Sequence, residues 1–586
     1  MIDSRVSVAC WFAAFLLIAS TAVAQSGGGE PLPLSPPGDH ETVIKVVPSP
    51  AAAEAEQAKP AGSPSGRFDV QELKAPDVEA VGLLDDRQGG FGAGMWGGTA
   101  AATVRHFLPQ LPAASGSRTL RALARRLLLT AAVPPEGGAG EAPSLLELRA
   151  ERLYAMGEID GVASLLKVAP SSLTSPGLSR LKIDSFLLAG DAKAACAEAA
   201  TLPGGVDPRM QVFCNLIGGR VLEANLALDL MRDRKDADHA FIAAAEALAG
   251  TPPAKVDKLP SPLPLHLAAF KAAKLALPAD AAANATQPAL LRAIADNAAI
   301  AVDTRLVAAE RAEALGALET DALRKFYGAV TFSPAEQQAA MAQGDKSPRG
   351  RVLLLRAAPS EPSPVARAEL IVRILTSSAE RGAWNATARL YAPIIAEIRP
   401  AADLAAFAPP LARALYAAGR PEAAGNWLAL AKSDPVTAKA AADAWPLARL
   451  GRLGNAEASP AEAFAAWRTA RELPADQAER RAAVVLDLLQ AVGDKVPAAE
   501  WLAMPSGPAR PAAVSAGPAL KAMLRAAAES LRVGETVLLA LVALGETGLD
   551  KADADTLNRV VTFLRVVGLD REARELAVEA ALANGA

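Results

Sequence analysis

At 586 residues and a formal net charge of −4, the chain exceeds one ordinary domain and shows no charge excess that would draw it to nucleic acid or an anionic membrane. Apolar residues make up 51% but aromatics only 4%, with alanine dominant. That composition favours helix and close helix packing, and it excludes reading the positive mean hydropathy as a set of membrane spans.

The N-terminus carries Arg5, the apolar run Val6–Ala19 and then Ala22-Val23-Ala24, the order of a secretory signal (residues 1–24) cleaved after Ala24. An uncleaved anchor is the alternative, but the run is shorter than the ~20 residues a span needs. Cys10 lies inside the run and no cysteine stands at the cleavage site, which argues against a lipoprotein. Later apolar stretches such as Val537–Leu544 are too short to cross a bilayer, so the expected location is periplasmic or secreted. Residues 25–66 are rich in Gly, Pro, Ala and Ser without apolar periodicity, and read as a disordered linker.

Residues 67–135 form a separate docking segment, with a Gly-rich run at Gly89–Gly98 and helices expected from about Thr99 and from Ser117. Gly92, Gly94 and Gly97 spell G-x-G-x-x-G, but no strand precedes them and no Asp or Glu lies between Arg87 and Pro135 to hold a ribose. The run is therefore read as a loop whose Phe91, Met95 and Trp96 plug against the first repeats, and no cofactor is expected. The same window holds Arg105, Arg118, Arg121, Arg125 and Arg126. Three of these, Arg118, Arg121 and Arg125, share a helix face opposite Leu120, Leu123, Leu127 and Leu128. Such a stripe is either a solvated face or a surface for an anionic partner, such as an acidic protein or a cell-wall polymer.

From Ser144 onward the signals are helical, and two repeat lobes are expected, at 136–360 and 361–586. Cys196 and Cys214 each lie nine residues from Gly205 in a hairpin, which predicts a disulfide worth on the order of 3 kcal/mol. Two buried free thiols are the alternative. Thr251–Leu265 carries five prolines and reads as a loop. Helices are expected at Leu265–Leu277, Ala289–Asn297 and Asp303–Leu318. The last helix, Arg571–Ala583, presents Glu572, Glu575 and Glu579 on one side, as a polar cap on an open end would.

One hairpin pattern recurs in ALYAAGRPEAA, RLYAMGEIDGV, SFLLAGDAKAA, LLQAVGDKVPA and FLRVVGLDREA. Their turn glycines are Gly419, Gly157, Gly190, Gly493 and Gly568, each with an apolar residue four before and a small or apolar one five after. Further candidates Gly382, Gly454 and Gly534 give spacings of about 34–41 residues. This pattern resembles the tetratricopeptide repeat. The resemblance implies an all-α solenoid of antiparallel helix hairpins with a concave binding face; a generic α-solenoid describes the same residues.

Catalytic chemistry is sparse. The four histidines do not pair at helical spacing, and Asp236, Asp238 and His239 read as helix-capping acids beside an exposed histidine rather than a metal site. Glu529-Ser530 is similar to the catalytic Glu-Ser of lytic transglycosylases, without a domain around it. The expectation is a non-catalytic exported scaffold for an envelope protein or peptide. The alternative is a cell-wall polymer binder or cell-wall-processing enzyme on the same scaffold.

Overall fold

Serine at helix starts and glycine at helix ends set the frame of the molecule. Ser117, Ser144, Ser175, Ser347 and Ser363 each accept a backbone N–H in the first turn of their helix, which satisfies a donor the helix cannot. The computed structural model describes residues 77–138, 141–169, 175–233, 238–452, 461–504, 514–546 and 548–586. The signal, the 25–66 linker, the start of the docking segment, Asp236 and Gly454 lie outside the described residues.

The described residues are all-α, and lie in one compact unit spanning Lys74–Ala586. The docking segment supplies α1 (Ala101–Phe107) and α2 (Arg118–Leu129). Next come α3 (Leu145–Ala155), α4 (Ile159–Val168), α5 (Pro176–Ala189), α6 (Ala192–Thr201), α7 (Pro208–Ile217) and α8 (Val221–Arg232). The middle holds α9 (His239–Leu248), α10 (Pro264–Ala272), α11 (Ala281–Asn284), α12 (Pro288–Asp296), α13 (Val302–Leu315) and α14 (Thr320–Ala329). After these run α15 (Pro334–Gln343), α16 (Pro348–Ser360), α17 (Pro364–Glu380), α18 (Trp384–Glu397), α19 (Ala408–Ala417) and α20 (Pro421–Ser433). The C-terminal part has α21 (Ala438–Asp443), α22 (Trp445–Leu450), α23 (Ala461–Ala470), α24 (Ala475–Ala491) and α25 (Ala498–Leu502). It closes with α26 (Pro518–Glu529), α27 (Val533–Leu544), α28 (Ala554–Val566) and α29 (Asp570–Ala583). Sequence neighbours pack as hairpins, among them α3 with α4, α5 with α6, α19 with α20 and α28 with α29.

All five turn glycines take a left-handed backbone, with φ from 68° to 91°, the conformation a side chain resists. In each, the N–H after the glycine returns to a carbonyl in the preceding helix: Leu153, Phe186, Leu415, Leu489 or Leu564, at 2.8–2.9 Å. Those carbonyls belong to the apolar residues four before each glycine, so one residue closes the helix end and fills the core. Five residues after the glycine, Val162, Ala195, Ala424 and Ala573 are fully buried, whereas Ala498 is exposed. Gly382 closes its helix in the same way, through Ala383 N–H and the Ser378 carbonyl at 2.9 Å. Gly534 does not: it lies inside α27, and the left-handed turn falls three residues earlier, at Leu531, with φ 55°.

The expected division near Glu361 is not where the apolar core divides. The main core passes it without a break, with Leu355 and Ile371 both inside. A second, smaller core is gathered by α5–α10 around Phe213, Phe241 and Phe270. Cys196 and Cys214 are disulfide-bonded across α6 and α7 at its edge, with Cα atoms 5.4 Å apart. The proline-rich stretch before α10 is a loop, as its sequence indicates.

The two ends of the helical path meet, which overturns the expectation of an open C-terminal end. Met95 and Trp96, each 3% exposed, plug against α27, far along the chain. Gly534 N–H donates to the Met95 carbonyl at 3.0 Å, and a Cβ there would stand 2.9 Å from the Trp96 ring. Position 534 is glycine because another part of the chain lies on it. Likewise α2 packs on both α27 and α29, so Glu572, Glu575 and Glu579 do not cap an open end.

Candidate interaction cleft

The leucines of α2 are buried, as their spacing predicts, and its arginines reach outward to other elements. Arg118 pairs with Glu575 at 3.3 Å and with Glu579 at 3.7 Å, while Arg126 pairs with Glu572. Glu579 also accepts from the Ser117 hydroxyl, from the Thr119 hydroxyl at 2.9 Å and from the Thr119 N–H at 3.2 Å. Arg125 pairs with Glu158 at 3.2 Å, and Arg105 with Glu141 at 2.9 Å and Glu79 at 3.3 Å. Arg121 donates to the Ser115 carbonyl at 2.9 Å; burial, then the charge of Arg389, depress its pKa. The five arginines nominated for an anionic partner are thus each held by a carboxylate or carbonyl of this chain. Arg126 adds a face contact, 4.3 Å over the Phe91 ring.

The start of α2 forms the lip of three hollows. A cavity of about 160 Å³ is lined by Ser115, Gly116, Ser117, Asn385, Arg389 and Glu579. A larger one of about 440 Å³, between α13, α14, α16 and α18, shares Gly116, Asn385 and Arg389 with it and adds Tyr327, Arg351 and Tyr391. The third, of about 480 Å³, lies where the Gly419 turn meets α29, between Arg118, Tyr416, Arg420, Glu422 and Arg574. The helical hairpin most legible in the sequence therefore presents its turn to this site.

Charge inside the cleft is paired. Glu313, fully buried, takes a two-pronged bond from Arg389 at 2.9 and 3.0 Å and another from the Thr320 hydroxyl at 2.7 Å. Pro393 has no N–H for the carbonyl of Arg389 one turn back, and Arg324 reaches that carbonyl and the next, at 3.4 and 3.0 Å. Glu310 accepts from Arg351 at 2.8 Å and from the Tyr327 hydroxyl. Burial, with Glu310 beside it, keeps that phenol protonated far above its usual range. Asn385 differs: it is exposed, its amide makes no hydrogen bond among the described residues, and it lines both of the first two cavities.

Other sequence candidates are structural. Asp238 caps α9, accepting from Phe241 N–H at 3.1 Å. The histidine it holds is His266, at 2.9 Å, rather than His239, and Arg209 joins it at 2.8 Å. His266 came from 28 residues away in the sequence, so local spacing did not reveal it. Among the described residues no group of three His, Cys, Asp or Glu is arranged to hold a metal. Glu529 is exposed at the end of α26 and lines none of the three hollows. No protein-family model, curated protein or solved structure matches this chain.

Proposed function

We propose that the chain is an exported, non-catalytic scaffold on a tetratricopeptide-like repeat, and that it binds a protein or peptide partner of the cell envelope in the cleft at the start of α2. The observation that carries this reading is the pair of cavities that share the Asn385 side chain, whose amide makes no hydrogen bond among the described residues. A side-chain amide offers both donors and an acceptor, the complement of a peptide backbone, and buried tyrosines with paired arginines surround it as a fixed wall. The repeated glycine turns support the repeat assignment, and the Cys196–Cys214 bridge suits an oxidising compartment outside the cytoplasm. The competing reading, a cell-wall polymer binder or cell-wall-processing enzyme, rests on the α2 arginines, which this chain's own glutamates and carbonyls occupy.

The test is a photo-crosslinker placed at Asn385 and, as a control, at the exposed Leu226 of α8, in cells making the intact chain. The expected result is a discrete protein adduct at Asn385 alone. An Asn385→Trp variant should fold normally and lose the same partner in a pull-down. No adduct at Asn385, or equal adducts at both positions, counts against the reading.

A further inference from the structure

The third hollow, at the Gly419 turn, holds polar groups that the chain itself does not answer. The first turn of α20 opens on it through Arg420, Pro421, Glu422 and Ala423. No side chain caps this helix, and proline has no N–H to offer. The N–H groups of Glu422 and Ala423 find no acceptor among the described residues. They stand at the positive end of a thirteen-residue helix, where an anion is favoured.

A second, independent group points the same way. Tyr416 of α19 is 5% exposed and lines the hollow, and its hydroxyl makes no hydrogen bond among the described residues. A buried hydroxyl without a partner is costly, and the cost is relieved by an acceptor. Arg420, exposed on the same wall, has no ion pair among the described residues. Arg118 lies across the turn, so that a Cβ on Gly419 would run into its guanidinium; the start of α20 is thereby held in place.

Charge on the wall is otherwise balanced. Glu575 is met by Arg118 at 3.3 Å and by Arg571 at 3.1 Å, and Arg574 by Asp570 at 3.0 Å. Glu422, exposed and likewise unpaired among the described residues, offsets Arg420. Several donors with little excess charge suit a singly charged carboxylate better than a phosphate, which carries roughly −1.5 to −2. The hollow, about 480 Å³, has the size of a small-molecule site, and Pro421, Ala423 and Val578 give it an apolar side.

We propose that this hollow is a receptor for a small organic acid with an apolar body. Its carboxylate is held by the N–H groups of Glu422 and Ala423, the Tyr416 hydroxyl and Arg420. The hollow shares no lining residue with the two Asn385 cavities, so either reading can fail without the other.

The test titrates hexanoate and its uncharged analogue hexanamide against the intact chain by ligand-observed NMR, in chloride buffer of fixed ionic strength. Saturable hexanoate binding is expected, with hexanamide at least about tenfold weaker and inorganic phosphate a poorer competitor than unlabelled hexanoate. Tyr416→Phe deletes a hydroxyl that bonds nothing in the chain. It should weaken hexanoate about fivefold and leave the unfolding temperature unchanged. No saturable binding, hexanamide binding as tightly as hexanoate, phosphate competing better than hexanoate, or equal affinity in Y416F overturns the proposal. Should Y416F not fold, R420Q on the exposed turn makes the same comparison: about threefold weaker binding is expected, and equal affinity overturns the proposal.

Discussion

The arginines of α2 and those around Asp443 have the same chemistry and opposite surroundings. On α2, Arg118 and Arg126 meet Glu575, Glu579 and Glu572 of α29, and Arg125 meets Glu158. Around Asp443, two guanidiniums, those of Arg471 and Arg481, share a single carboxylate. The dense, conspicuous stripe is spent on holding the two ends of the chain together. The sparse pair, Arg471 and Arg481, has one acid between two cations. Arginine density along a sequence is thus a poor guide to a binding surface; what matters is whether the fold delivers a matching acid.

Breaking the first region should cost most. Trp96 anchors the docking loop on α27 at 3% exposure, so Trp96→Ala should lower stability by about 3–5 kcal/mol in thermal or denaturant unfolding. Glu579→Ala removes the shared acceptor of Ser117, Thr119 and Arg118 and should cost about 2–3 kcal/mol. A silent Glu579→Ala would mean α2 and α29 do not meet in solution.

Asp184 is a partly buried acid on α5. Burial raises its pKa from 3.8 to about 6, so the folded chain holds that proton more tightly than the unfolded one. Stability from this group is full below about pH 4 and is lost as pH rises through 6. Asp184→Asn should therefore add about 1–2 kcal/mol at pH 7.5 and nothing at pH 4, measured by unfolding at both. The smallest change sharpens the contrast directly. Arg413 of α19 sits 5.7 Å over the Trp384 ring and makes no ion pair among the described residues, so Arg413→Met keeps that packing, deletes the charge and should raise stability by about 1 kcal/mol. Arg118→Met should lower it.

Much of the local structure was legible in the sequence because it is written within one turn of helix. Leu415 and Gly419, or Leu564 and Gly568, specify a helix end through a bond that closes on a residue five positions back in the chain. Leu531 escaped notice because a leucine adopts the left-handed turn there, and Gly534 was misread because its reason for being glycine, Trp96, lies more than 400 residues earlier. The charged partners of α2 escaped for the same cause: Arg126 and Glu572 are 446 residues apart, and each stripe taken alone looks like a solvated face. Asn385 carries no sequence signal at all; it stands out only once two cavities are seen to share it.

The central claim, that the N-terminal segment is clasped by the last hairpin, is tested most directly by a charge-swap cycle between Arg126 and Glu572. Arg126→Glu and Glu572→Arg should each lower the unfolding temperature. The double variant should be more stable than the sum of the two changes by about 1 kcal/mol or more. Strict additivity of the two substitutions would contradict the clasp.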